Sequence, residues 1–336
     1  MERGNAGGAA PGSGRAARGF VVFAWTVLGY CVGVVVWGAY VRATGSGAGC
    51  GGHWPLCNGL VIPRSPQAAT LIEFSHRVSS GLILVLVAAL LLWALRAFPR
   101  GHGVRAAAWL SLTFTVSEAL VGAGLVLFGL VAENASTARA VVIALHLLNT
   151  FLLLGCLALT ALWAGSGRVW RVREGGSAFW LVAGGLAGMI VLGASGAVTA
   201  LGDTLFPAAS LAGGLHQDFS AAGRFMVKLR VFHPLIAVAV GIYLVLLARL
   251  LRGVRDDRPG VRGLADALTG LVVVQILAGV TNLLLLAPVW MQMVHLFLAD
   301  AVWITLVLLG AAALSPAVAE TEGARPRPLA QAAPVH

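Results

Sequence analysis

The stretch Leu71-Ile-Glu73-Phe-Ser-His76-Arg77-Val78-Ser-Ser-Gly-Leu-Ile-Leu-Val-Leu-Val-Ala-Ala-Leu-Leu-Leu-Trp93-Ala-Leu95-Arg96 decides the fold. From Val78 to Leu95 it carries no charge and is almost wholly apolar. A bilayer-spanning helix needs about 20 such residues, so residues 71–96 are predicted to cross a membrane. Seven further stretches meet the same condition, at roughly 20–41, 105–130, 138–163, 178–200, 228–251, 263–287 and 291–313. Their apolar runs are continuous rather than alternating, which excludes a barrel of short two-period strands. The first run is too long for a signal peptide and has no small-residue cleavage site before Arg42.

Composition agrees with the spans. The 336 residues are 59% hydrophobic and 11% charged, against about 25% charged in a soluble domain, which excludes a cytosolic enzyme. The formal net charge of +10 would suggest nucleic acid in a soluble protein; here it reads as membrane anchoring. Placed on alternate sides of eight spans, 16 basic residues fall on one side and seven on the other. The positive-inside rule then puts both termini in the cytoplasm of a multi-pass plasma-membrane protein. Membrane lipid is the expected surroundings, and no nucleic-acid partner is expected.

The expected organisation is a disordered tail at 1–19, a four-helix half at 20–165, a cytoplasmic linker at 166–177, a second four-helix half at 178–313 and a disordered tail at 314–336. The halves share an order of connection lengths, long after the first span and short after the third. Val41-Arg-Ala-Thr-Gly-Ser46 also aligns with Val198-Thr-Ala-Leu-Gly-Asp203, which points to duplication. The fold class is therefore all-α integral membrane protein, eight transmembrane helices forming two pseudo-symmetric four-helix bundles.

Ionisable residues inside spans are costly and mark candidate function. His76 and His146 lie near the outer ends of the second and fourth spans, and His233 and His295 open the sixth and eighth. The two pairs are equivalent under the repeat. Paired imidazoles on facing helices of a bundle can hold a heme iron from both axial sides, which makes all four candidate iron ligands; packing histidines are the plainer reading. Glu73 stands one turn before His76, where the second half has Arg230. A carboxylate beside a metal-bound substrate can move protons, whereas pairing of Glu73 with Arg77 is the competing reading. Glu118 aligns with Gln275 near mid-membrane; Asn149 and Asp300 are candidates to orient an imidazole or bond a neighbouring helix.

Cys31 and Cys156 lie within spans and read as small buried hydrophobes. Cys50 and Cys57 flank Gly-Gly-His-Trp-Pro-Leu in the first outer connection, on the oxidising side. A disulfide fits that placement; a metal site built on Cys50, His53 and Cys57 would lack a fourth ligand. The absence of Cys-x-x-Cys-His excludes covalent heme attachment.

The eight spans in two halves, the Cys50-x6-Cys57 loop with Trp-Pro-Leu-Cys, the Glu73-x-x-His76-Arg77 helix and His146, His233 and His295 together resemble the heme A synthase family over residues 20–313. The resemblance implies a membrane oxidoreductase of heme biosynthesis. It would oxidise the C8 methyl of heme O to the formyl of heme A, by successive hydroxylations and loss of water, for terminal oxidase assembly. It also implies that His76 and His146 form the substrate heme site with Glu73 as the carboxylate associated with oxidation, that His233 and His295 ligate a resident heme b, and that Cys50 and Cys57 pair near the heme O entrance. The heme sites would face the outer side. The heme O farnesyltransferase and oxidase assembly factors are the implied partners, and homo-oligomerisation stays open. Two departures stand out: the 201–227 connection lacks the second cysteine pair common in the family, and Glu118 stands where Gln is expected. The main alternative is a two-heme b-type cytochrome passing electrons from quinol to an outer acceptor, against which Glu73 and the cysteine loop argue. An inverted-repeat transporter fits poorly, because four spans per half make the halves parallel.

Overall fold

A computed structural model describes residues 13–64, 66–166, 176–219 and 225–315. Among these the chain forms nine α-helices and no β-strand. They are α1 (Ser13–Ala43), α2 (Ala68–Ala97), α3 (Gly103–Leu127), α4 (Thr137–Ser166), α5 (Gly176–Leu205), α6 (Leu211–Phe219), α7 (Phe225–Val254), α8 (Val261–Leu284) and α9 (Val289–Ala313). All but α6 are long and apolar enough to span a membrane, eight spans as expected. The protein is an all-helical, multi-pass membrane protein.

Two boundaries differ from expectation. Helix α1 begins at Ser13, within the stretch 1–19, and α5 continues to Leu205 before the short α6 occupies the connection that follows. The expected linker falls mainly on 167–175 and the expected C-terminal tail mainly on 316–336, both outside the described residues, as are residues 1–12.

Within the first half, α1 packs on α2, α2 on α3, α3 on α4 and α4 back on α1. In the second half, α5 packs on α7, α7 on α8, α8 on α9 and α9 back on α5. Each half thus closes a ring of four spans, and α4 and α9 join the rings. Lipid tails are as apolar as leucine, so these contacts depend on close packing and small residues rather than on escape from water. The join shows how. The Phe151 ring of α4 stacks on Trp303 of α9 with centroids 4.8 Å apart, and the Trp303 indole N–H donates to the Phe151 carbonyl at 2.6 Å. On its other side a Cβ added at Gly193 of α5 would lie 2.6 Å from the same ring, so only glycine permits this approach. The outward faces carry exposed apolar side chains such as Val85, Leu120, Trp180 and Leu246, the composition a lipid-facing surface requires.

Candidate functional site

The connection between α1 and α2 is a compact loop pressed onto the start of α2. Cys50 and Cys57 are joined in a disulfide, so the metal reading of the Cys50, His53, Cys57 trio does not apply. Gly49 makes the docking possible, since a Cβ there would lie 2.4 Å from the backbone of Ala69. The Gly49 carbonyl accepts from Thr70 Oγ1 at 2.8 Å. Glu73, 3% exposed, completes the attachment. Its Oε2 accepts from the Cys50 backbone N–H at 2.8 Å, and its Oε1 accepts from Arg77 Nε at 3.1 Å and Nη2 at 2.5 Å. Arg77 Nη1 in turn donates to the carbonyls of His53 and Leu56, at 2.7 Å each. Glu73 therefore does pair with Arg77, and both of its oxygens hold the disulfide loop one turn from His76.

In the second half an arginine ties the start of α7 to the end of α5. Arg230 of α7 donates to the carbonyls of Gly202 and Phe206, at 2.7 Å each, and its Nε lies 2.9 Å from Asp203 Oδ1. Arg77 and Arg230 thus each combine a carboxylate with two backbone carbonyls, those of Arg230 lying at the end of α5, although in the sequence alignment Arg230 falls opposite Glu73. The planar guanidinium fork makes this possible, because it presents several donors in one rigid plane.

The four histidines lie on four helices. His76 on α2 is directed at α1, where a Cβ on Gly38 would sit 2.8 Å from its Cε1. His233 on α7 faces Gly196 of α5 in the same way, at 2.9 Å, and His295 on α9 faces Gly279 of α8 at 3.1 Å. His146 on α4 has no glycine seat; its Nδ1 lies 3.1 Å from Glu118 Oε1 on α3. His76 and His146 are electrostatic neighbours, as are His233 and His295.

The surroundings of the two pairs differ. In the second half, Ser195 Oγ lies 3.0 Å from His233 Nδ1 and Gln275 Nε2 lies 3.3 Å from His295 Nε2, both neutral. In the first half, Glu118 is fastened by Thr150 Oγ1 at 2.5 Å and by the Asn149 amide. Asn149 is oriented by Ser117, whose hydroxyl donates to Asn149 Oδ1 at 2.6 Å, and by its own donation to the Phe114 carbonyl at 2.9 Å. Asn149 thus reaches the neighbouring helix and Glu118 rather than an imidazole. Asp300 is fully buried and its carboxyl oxygens have no hydrogen-bond partner among the described residues. Cys31 and Cys156 are unpaired thiols, and Cys31 is buried.

Among the described residues no three His, Cys, Asp or Glu side chains gather as a metal cluster. Each histidine pair offers two nitrogen ligands, too few for a bare tetrahedral ion and the right number for the axial positions of an iron already held in a macrocycle. The imidazole Nδ1 atoms of His76, His146 and His295 are all buried without a hydrogen-bond partner among the described residues. The donor set fits heme.

Residues 21–307 match the family model COX15-CtaA, described as cytochrome oxidase assembly protein. The chain is similar to proteins named protoheme IX farnesyltransferase from two strains of Thermus thermophilus, each 54% identical over 292 residues, or 87% of this chain and 48% of the relative. It therefore spans about half the length of those relatives. It is also similar to proteins named heme A synthase, from Alkalihalophilus pseudofirmus at 42% identity and Halalkalibacterium halodurans at 45%, each over 96 residues, 29% of this chain and 32% of the relative.

Proposed function

The chain belongs to the COX15-CtaA family of cytochrome oxidase assembly proteins, and from that premise we propose that it is a heme A synthase, oxidising the C8 methyl group of heme O to a formyl group. The observation that carries this reading is the presence of two intramembrane histidine pairs, His76 with His146 and His233 with His295, one in each ring of spans. The names of the partial relatives support it.

In this reading His76 and His146 hold heme O as substrate, and His233 and His295 hold a resident heme b as an electron-transfer centre. Bound heme supplies the redox chemistry of iron; the protein positions it and keeps water away. Glu73 is the carboxylate of the substrate site. Its hydrogen bonds give that role a structural form, since it ties the disulfide loop to the helix that carries His76 and so couples closure of the loop to the placement of that ligand. The chain sits in the plasma membrane with both termini cytoplasmic and both heme sites toward the outer face. A farnesyltransferase acting on protoheme IX is the expected supplier of heme O. A relative bearing that activity in its name matches this chain over 48% of its length, which leaves about half of that relative for other chemistry.

The test is direct. Membranes containing the full chain and supplied with heme O should yield heme A on extraction and chromatography. Unchanged heme O, together with a reducible b-type spectrum, would instead mark a two-heme electron carrier.

A further inference from the structure

We propose that Glu118 is the positioning residue of the substrate-site histidine, setting a carboxylate 3.1 Å from His146 Nδ1 and so giving this ligand a charged partner that the second heme site lacks. The inference rests on the assignment of His146 as a heme ligand and goes beyond it. It starts from the 3.1 Å separation of His146 Nδ1 and Glu118 Oε1. A ligating imidazole commonly donates its second N–H to a carboxylate, which sets the ring orientation and makes the ligand more basic.

The rest of the network is built to hold the carboxylate there. The Thr150 hydroxyl donates to Oε1, the Asn149 amide donates to Oε2, and Ser117 fixes which way that amide points. Both oxygens thus receive donors, the arrangement expected of an acceptor-only carboxylate. Thr150 and Asn149 lie one turn beyond His146 on α4, so the helix that carries the ligand also aims its partner. The single Thr150 proton, donated to Glu118 Oε1 at 2.5 Å, also lies near the His146 carbonyl, 3.0 Å from Oγ1.

The contrast between halves sharpens the assignment. The aligned position is Gln275, whose amide nitrogen faces Nε2 of His295 at 3.3 Å, a neutral group where the first half has a carboxylate. His233 has a serine hydroxyl at Nδ1. Neutral partners leave a ligand less electron-rich than a carboxylate does. The first site is therefore tuned toward the oxidised iron, and the second toward easier reduction.

The experiment uses the full chain loaded with heme O and titrates the redox potential of both hemes optically, with the first-site component identified as the one lost in His146→Ala. Glu118→Gln keeps the shape and removes the charge. It should raise the midpoint of that component by about 59 mV or more, equivalent to tenfold or more in a one-electron equilibrium, and leave the other component in place. Thr150→Val removes the hydroxyl that shares Oε1 with the imidazole, which should move the same component the opposite way, to lower potential. An unmoved first-site midpoint in Glu118→Gln, or equal shifts at both hemes, overturns the proposal. If Glu118→Gln does not fold, Thr150→Val decides by the sign of its shift, and an unmoved or raised midpoint counts against the proposal. If His146→Ala removes no heme component at all, it is the ligand assignment that fails, and with it the premise rather than the Glu118 geometry.

Discussion

Arg42, at the end of the first span, donates from Nη2 to Gln292 Oε1 at 3.1 Å across 250 positions of sequence. Its Nη1 reaches the Ala200 carbonyl at 2.8 Å and Thr204 Oγ1 at 2.7 Å, and Gln292 is held in turn by the Ala287 carbonyl at 2.7 Å. One guanidinium therefore latches α1 to both α5 and α9. By sequence it had read as a boundary charge, one of seven on the outer side.

Arg42→Leu should loosen the contact between halves, because each buried acceptor left unpaired costs about 1–3 kcal/mol. Thermal unfolding in detergent, followed by loss of tertiary absorbance, should show a lowered Tm. Arg42→Lys should recover little of it, since one ammonium cannot reproduce the fork. Full recovery by lysine would show that charge alone matters there.

Removing either second-half ligand, His233→Ala or His295→Ala, should abolish the resident heme signal in purified protein. His76→Ala and His146→Ala should leave that signal and block retention of added heme O. Difference spectra before and after loading separate the two sites. Loss of the same component in all four variants would contradict two independent sites.

The glycine seats offer a finer probe. A methyl group on Gly38 would lie 2.8 Å from His76 Cε1 and 3.0 Å from Nε2, and on Gly196 it would lie 2.9 Å from His233 Cε1. Gly38→Ala should therefore weaken heme O retention, and Gly196→Ala should weaken the resident heme. Gly81→Ala, on α2 with nothing within 4 Å, should be neutral or add up to about 1 kcal/mol of helix stability. An effect of Gly81→Ala on heme as large as that of Gly38→Ala would remove the argument from contact.

Glu73 has both a proposed role in oxidation and a visible role in holding the loop, and Arg77 shares only the second. Glu73→Gln should retain resident heme and slow heme A formation by about a hundredfold or more, the low end of what a positioned acid or base contributes. Arg77→Met and Cys50→Ala should cost less activity while speeding proteolysis of the loop. Equal loss of activity in Glu73→Gln and Arg77→Met would reduce Glu73 to an anchor.

In the second half Arg230→Met should speed limited proteolysis between α5 and α7, since it removes both carbonyl contacts and the partner of Asp203. Asp203→Asn leaves the carbonyl contacts and should do so less. Mass spectrometry of the first cleavage sites provides the measurement.

The sequence by itself determined the spans, because eight long, predominantly apolar runs have no other way to satisfy their backbone than as helices in lipid. It favoured the disulfide over a metal site, and it singled out His76, His146, His233 and His295, because an imidazole within an apolar span is conspicuous in any neighbourhood. What it could not decide was whom each polar side chain meets. Helical periodicity sets the face on which Arg42 or Glu118 projects, yet the partner comes from another helix. Arg42, Arg77 and Arg230 all bind carbonyl oxygens, which every residue carries and no letter of the sequence distinguishes. Only the tertiary structure therefore turned span-end charges into latches, tied Arg230 to the end of α5, and brought Glu118 rather than Glu73 within reach of an imidazole. That last distinction depends on α3 and α4 lying side by side.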